Sequence, residues 1–439
     1  MAEKAYVITD LGPGDGGKGG VVESIANKVN ARVILKEGGA QGSHGVVLSD
    51  GRKFNFSQWG CATFQGTPSY LTSRFVVSPI GLLREAAALL KVGVAHAFDL
   101  LSVSPFCICA TPYHEVWSHL YEIALKDHPH GTVGTGVGKA FQMSKTNPDM
   151  TIYADMLTDG AKVAAVLKKQ REFVSDKYGS LSDDDVLPED REILASCKAA
   201  LENDFALEDI LRLILEAGAK VRLEDMQKVV SLPGNMVVER SHGVLTDSET
   251  GLKPHVSSLR TLPHFTDLSL RTHGYEGEII HYGVHRAYSV RHGAGPLPTA
   301  DPKLREQLLP GSCKDDNRWQ GQVRVGPLDF VLINYALHAC KLFTEFDGIC
   351  VTWFDQIVKN GTWNCCTNYV LGDKVFLPYK LRNIDLLKSV KTPLKSFSIP
   401  TNRDEQTKLC RQVFETYTGL PVRMISFGPC KEDKEYMEV

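Results

Sequence analysis

Residues 12–19 read Gly-Pro-Gly-Asp-Gly-Gly-Lys-Gly, and this stretch decides the fold. It fits the phosphate-loop pattern G-x-x-x-x-G-K-[ST] at every position but the last, where Gly19 stands in place of the hydroxyl residue. The flanks supply the context that the pattern requires. Ala5–Asp10 (AYVITD) is a short apolar run that ends directly in the glycines. Residues 19–29 then carry helical spacing through Val21, Val22, Ile25 and Val29, and Ala31–Lys36 (ARVILK) is a second β-branched run. Strand, loop, helix and strand in that order open a predominantly parallel, P-loop-like α/β sheet. A chance glycine-rich turn would lack both flanks.

Glycines let successive backbone N–H groups turn toward phosphate oxygens, and the helix N-terminus adds positive potential. Gly14, Gly16, Gly17, Lys18 and Gly19 are therefore the candidate nucleoside-triphosphate ligands, with Lys18 neutralising the terminal phosphates. The hydroxyl missing at residue 19 would ordinarily ligate Mg2+. Asp15 supplies a hard carboxylate oxygen in its place and is the candidate metal ligand. A carboxylate aimed at phosphates repels them unless a metal ion or a proton donor lies between. An ordinary kinase loop would not carry it.

The rest of the chain bounds the answer. Its 439 residues can bury a large core, and 43% apolar with 23% charged residues is the composition of a globular protein. A net charge of −3 without a dense basic run argues against a nucleic-acid surface. The first residues, Met-Ala-Glu-Lys-Ala-Tyr, lack the basic and apolar regions of a signal peptide, and no run reaches the roughly 18 apolar residues that span a bilayer. The 11 cysteines fall into no C-x-x-C pair, so reduced, buried thiols and a cytoplasmic location are expected. Ser78-Pro79 signals a helix start. Leu328, Val331, Leu332, Tyr335, Ala336, Ala339 and Leu342 form an apolar helix stripe that leads into a buried strand at Gly348–Phe354. A helix near Glu405–Tyr417 stops at Gly419, and the strand Pro421–Ser426 follows. The stretch 160–230 is charged and helical, which predicts one large domain over 1–439 with a helical subdomain or insertion at about 160–230.

Longer motifs carry a family resemblance. Gly14–Gly20 (GDGGKGG) resembles the GDEGKGK motif of adenylosuccinate synthetases, and Gly38–Gly45 (GGAQGSHG) their GGHNAGHT. Val76–Pro79, Gly131–Phe141 (GTVGTGVGKAF), Ala287–Thr299 (AYSVRHGAGPLPT), Thr352–Asp355 (TWFD) and Ser426–Pro429 (SFGP) follow in family order along nearly the whole chain. The resemblance implies a ligase that phosphorylates O6 of a 6-oxopurine nucleotide with GTP and then lets aspartate displace the phosphate. It implies Mg2+ and a homodimer as well. Asp15 would take the proton from N1, Lys18 would stabilise the transferring phosphoryl group, and His44 would be the proton donor. The metal would rest on Asp15 and a backbone oxygen of Ser43. Asp355, Ser426, Gly428 and Pro429 would hold the guanine base, so GTP is favoured over ATP. Trp353, where the family has lysine, puts the stacking part of that recognition in doubt. Asp15, Gln41, His242 and Ser257 would face the purine, and Arg324 the amino acid.

The acceptor residues depart from the family. Val133 replaces a phosphate-binding threonine, and Lys145–Ala154 has no counterpart of the arginine that a partner subunit supplies. His242 replaces a purine-reading glutamine, and Trp319–Arg324 keeps one guanidinium of an arginine-rich loop. Each lost cation–anion contact removes about 1.5–3 kcal/mol. Two readings follow: a different purine acceptor or amine donor, or drift compensated by Arg240, Arg260, Arg291 or Arg318. Retention of Asp15 argues against the phage branch that acts on guanine nucleotides toward 2-aminoadenine. A phosphotransferase or NTPase that lacks amino-acid addition is one alternative, and a regulatory nucleotide-binding protein another. His114-Glu115…His119 is no zinc motif, because an i,i+5 pair diverges by about 140° on a helix. Asp183–Asp185 is a charge run in a polar loop.

Overall fold

The computed structural model describes residues 3–128, 130–309, 318–372, 374–376 and 384–437. Lys4–Asp10 is a strand whose last four residues are all buried. It lies between two parallel neighbours, Met236–Gly243 on one side and Glu278–Arg286 on the other. Gly348–Thr352 and then Val422–Ser426 extend the sheet in parallel, and Lys434–Tyr436 closes it as an antiparallel edge. Strands covered on both faces need near-continuous apolar sequence, as MVV at 236–238 and GICV at 348–351 show here. These strands belong to a unit made of residues 1–34, 44–55 and 233–439. A core of Leu11, Tyr288, Phe330, Phe354, Trp363 and Phe414 packs within it.

A second unit comprises residues 35–43 and 56–232. In it, Leu101–Val103 lies parallel between Ser69–Val76 and Arg222–Leu223. Helices dominate its remainder, including Gly160–Tyr178, Arg191–Glu202 and Asp204–Lys220 across the charged stretch. Ser78 caps helix Pro79–Lys91 through its side chain, as the Ser-Pro signal predicts. The fold is α/β with a predominantly parallel central sheet.

Boundaries move by a few residues. The apolar helix is Phe330–Cys340, so Leu342 lies beyond it and is exposed, although its spacing continued the stripe. Asp329, wholly buried, starts that helix by accepting from the N–H groups of Val331 and Leu332. His114 is buried as well, and its ring nitrogen accepts the Thr111 N–H at the start of its own helix. The described cysteines are free thiols, and all but Cys430 are buried. No helix among the described residues is long and apolar enough to cross a membrane.

Candidate active site

The glycine loop is organised by a residue just outside the motif. Asp10 ends strand 4–10, and its carboxylate accepts the backbone N–H groups of Gly12 and Gly16, each at 2.8 Å. It also pairs with the Lys18 ammonium at 2.9 Å, and both side chains are almost wholly buried. Burial pushes the Asp10 carboxyl upward. The Lys18 charge and the two backbone donors together outweigh that, and hold it below the usual carboxylate range. Lys18 gives a second hydrogen bond to the His242 carbonyl oxygen at 3.0 Å. The loop lysine is thus fixed by protein groups in this structure.

Helix Lys18–Lys28 begins at Gly17, whose φ of 89° and lack of a side-chain cap leave its first N–H groups to the loop. A Cβ at Gly17 would stand 2.8 Å from the Thr352 hydroxyl. Gly19 has a related reason. A Cβ there would collide with the carbonyl oxygen of Gly45, the residue after His44. The hydroxyl residue of the phosphate-loop pattern is excluded by packing, and the same packing sets the His44 backbone beside the loop.

Asp15 adopts φ 60°, a left-handed conformation that costs an L-residue on the order of 1–2 kcal/mol. His242 (φ 64°) and Trp353 (φ 58°) share it, so three of the five described non-glycine residues with positive φ lie at this site. Backbone strain gathers where side chains must be aimed. The Asp15 carbonyl accepts from Arg286 at 2.6 Å, and the Gly16 carbonyl from the Thr352 hydroxyl at 2.6 Å.

His44 opens a short strand, His44–Val47, and its Nδ1 lies 2.7 Å from a carboxylate oxygen of Glu239. Glu239 is completely buried within strand 236–243. Such a partner keeps the proton on Nδ1, stabilises positive charge on the ring and fixes its orientation. His242 follows on the same strand. Burial, with Lys18, His44 and Arg240 nearby, pushes its pKa down to about 4, so its ring is neutral near pH 7.

The candidate base-reading residues also gather in the first unit. Asp355 lies in the first turn of helix Phe354–Asn360, where its carboxylate accepts from Gln356 and, at 3.3 Å, from Lys359. Ser426 ends strand 422–426 and donates to the Gly428 carbonyl. Lys434 donates to the carbonyls of Gly428 and Pro429 and so fixes the end of this segment. Ser257 accepts from Leu259 N–H, and its own N–H bonds the Thr246 carbonyl beyond strand 236–243. Arg324 sits opposite Arg291 in an antiparallel pair and donates to the carbonyls of Gly293 and Gly295. Burial, with Arg324 alongside, pushes Arg291 down to about 9. Gln41 and Ser43 lie on the 35–43 stretch of the second unit, and the Gln41 side-chain amide folds back against Gly39.

Sequence reasoning missed three residues that shape this site: Asp10, Glu239 and Arg286. Each had a signal, since Asp10 closes the run AYVIT, Glu239 directly follows MVV and Arg286 closes a nine-residue strand. Such charges persist in a sheet interior only when paired or hydrogen-bonded.

A strand, glycine loop and helix, with a buried carboxylate–lysine pair beneath and a carboxylate–histidine pair alongside, place the protein in the class of α/β proteins with a phosphate-type loop. The chain belongs to the adenylosuccinate synthetase family, whose model, described as Adenylosuccinate synthetase, matches residues 7–434. The family is one of ligases of purine biosynthesis. The chain is 23% identical over 453 residues to an adenylosuccinate synthetase of Francisella tularensis subsp. mediasiatica, and 24% over 454 to that of Francisella philomiragia; each match covers 98% of both chains. Its fold is similar to that of fully ligated adenylosuccinate synthetase from Plasmodium falciparum, with TM-score 0.83, 18% identity and 99% of each chain covered. It is also similar to the succinoaminodeoxyadenylate synthetase of cyanophage S-2L bound to dGMP and dATP. There the TM-score is 0.61 and the identity 13%, covering 100% of this chain and 97% of that one.

Two predictions follow from this geometry. Asp10→Ala strands a buried lysine charge and two loop N–H groups, and should lower unfolding free energy by about 3–5 kcal/mol in urea titrations; a loss under 1 kcal/mol would refute the organising role. The second concerns pH. His242 titrates at about 4 in the fold and near 6.5 when unfolded, so between those values the unfolded chain binds a proton that the folded chain refuses. Stability should therefore fall as pH drops from 7 to 4.5. His242→Asn, which tolerates the left-handed backbone, should lose less over the same window, and equal slopes would contradict the assignment.

Proposed function

We propose that this protein is a purine ligase that phosphorylates O6 of a 6-oxopurine with GTP and adds an amino acid at C6, giving an N6-substituted adenine compound such as adenylosuccinate. The observation that carries the reading is Asp15: a carboxylate held in a left-handed conformation at the tip of a phosphate-type loop, with the His44–Glu239 pair next to that loop. O6 is a poor nucleophile until N1 loses its proton. Asp15 accepts that proton, O6 attacks the γ-phosphorus, and GDP leaves. The amine then forms a bond to C6 as phosphate departs. Glu239 holds the Nδ1 proton of His44, so that Nε2 of the protonated ring is the donor toward the developing phosphoryl charge.

Lys18, Gly14, Gly16, Gly17 and Gly19 receive the phosphates at the start of helix 18–28, where the dipole contributes about 0.3–1 kcal/mol. Asp355 accepts the N–H donors of guanine, with Ser426, Gly428 and Pro429 around the base; adenine offers no matching pair of donors. His242, Gln41 and Ser257 serve the purine, and Arg324 the amino-acid carboxylate. The hard oxygens of Asp15 and the Ser43 backbone suit Mg2+, which would supply charge neutralisation for the transferred phosphoryl group. The protein works as a cytoplasmic homodimer. The charged helical stretch at about 160–230 is read as a subdomain or insertion of one large domain.

The acceptor differs from that of the ordinary enzyme. Val133 has no hydrogen-bond donor, and Arg324 is engaged with backbone carbonyls. The acceptor is thus a 6-oxopurine with an altered 5′ group, or the amine donor is less anionic than aspartate. The test is a screen of 6-oxopurine nucleosides and nucleotides, dGMP among them, against the twenty amino acids, scored by GDP release and N6-substituted product. Product should form only with an amino acid present, the pair of IMP and aspartate should rank low, and Asp15→Ala or His44→Ala should cut turnover about a hundredfold or more. GTP consumption without N6 product would establish the phosphotransferase reading instead. Efficient conversion of IMP and aspartate would make this an ordinary, diverged adenylosuccinate synthetase.

A further inference from the structure

Arg286 closes strand 278–286 and is 4% exposed. Its Nε donates to the Asp15 carbonyl at 2.6 Å, and one terminal nitrogen donates to the Tyr288 hydroxyl at 2.8 Å. Its guanidinium carbon lies 4.4 Å from the centroid of the Trp353 ring and 5.4 Å from that of Tyr288. Among the described residues it meets a carbonyl, a hydroxyl and two aromatic rings, and makes no ion pair. A buried guanidinium without a carboxylate is costly to keep, so its retention calls for a reason beyond packing.

The reason lies in what it holds. A peptide at φ 60° returns to a commoner conformation unless its neighbours fix it, and such a return re-aims the side chain. The Asp15 carbonyl is fixed by Arg286, and the next carbonyl, of Gly16, by the Thr352 hydroxyl. Thr352 and Trp353 are consecutive, so the end of strand 348–352 grips the loop twice, once directly and once through the ring stacked on Arg286. Tyr288 completes the bracket: its buried hydroxyl accepts from the same guanidinium that holds the Asp15 carbonyl.

We propose that Arg286 is a positioning residue that locks the Asp15 peptide in its left-handed conformation, with Trp353 as the platform that orients the guanidinium. The proposal rests on the reading of Asp15 as the base. It also gives a role to Trp353, which stands where the family pattern has lysine: the ring replaces one cation with a surface for another. Lysine at 286 could reach the carbonyl but would lose the planar fork that bonds carbonyl and hydroxyl together. A cation over tryptophan is the favoured form of this contact.

The experiment is a double-mutant cycle on turnover with GTP and the acceptor–amino acid pair that gives most product in the screen. Arg286→Met should lower kcat about tenfold to a hundredfold and leave the KM for GTP within about threefold. Arg286→Lys should recover part of the loss, Trp353→Phe most of the wild-type rate, and Trp353→Ala should fall between. In an Asp15→Asn background, Arg286→Met should have almost no further effect, because it acts through a group already removed. An equal further loss there, or a KM for GTP that rises as kcat falls, would show a merely structural arginine and overturn the proposal. A variant that melts early is excluded by its thermal transition, and Arg286→Lys then carries the cycle. Failure of the base reading is separately visible: Asp15→Asn alone would keep wild-type turnover.

Discussion

The Asp10 carboxylate is the constraint on which the site depends. One buried charge collects the Gly12 and Gly16 amides and the Lys18 ammonium, tying both limbs of the loop and the first residue of the helix to the end of the central strand. Hydrogen bonds to a charged group contribute about 1.5–3 kcal/mol each, enough to offset the strain at Asp15. The pairing also sets the resting state of the loop. Lys18 is held between Asp10 and the His242 carbonyl, which fixes its orientation.

The other groups come from neighbouring strands at the same edge. Asp10, His242, Arg286, Thr352 and Ser426 all stand at or next to the carboxyl ends of the parallel strands that adjoin one another. Open α/β sheets bind ligands at that edge, because the helix N-termini begin there. Parallel register therefore does more than bury apolar side chains. It delivers the loop anchor Asp10, the neutral His242, the Arg286 guanidinium and the Ser426 segment to one edge from distant points in the chain.

Two departures from the motif acquire physical reasons. Glycine replaces Ser/Thr at residue 19 because the backbone of Gly45 fills the space a side chain would need. With no hydroxyl at residue 19, Asp15 is the one residue of the 12–19 loop that carries a side-chain oxygen. Trp353 does not leave its site vacant in losing the lysine, since a stacked guanidinium supplies the positive charge. The acceptor residues admit no such account. Nothing in the structure explains Val133.

The sequence by itself determined the strand–loop–helix opening, the parallel α/β class and the family, and singled out Asp15, Lys18 and His44 as candidates. These lie in contiguous motifs, where local spacing and glycine content carry the information. It could not determine which buried charges answer them. Asp10, Glu239 and Arg286 read locally only as charged residues at or after apolar runs of a strand. Their partners are Lys18, His44 and the Asp15 peptide, and His44 lies 195 positions from Glu239 and Arg286 271 positions from Asp15. The end of the 330–340 helix and the exclusion of a side chain at residue 19 are likewise matters of packing. Tertiary structure alone decided these points, because a buried charge acquires its role from whatever the sheet sets beside it.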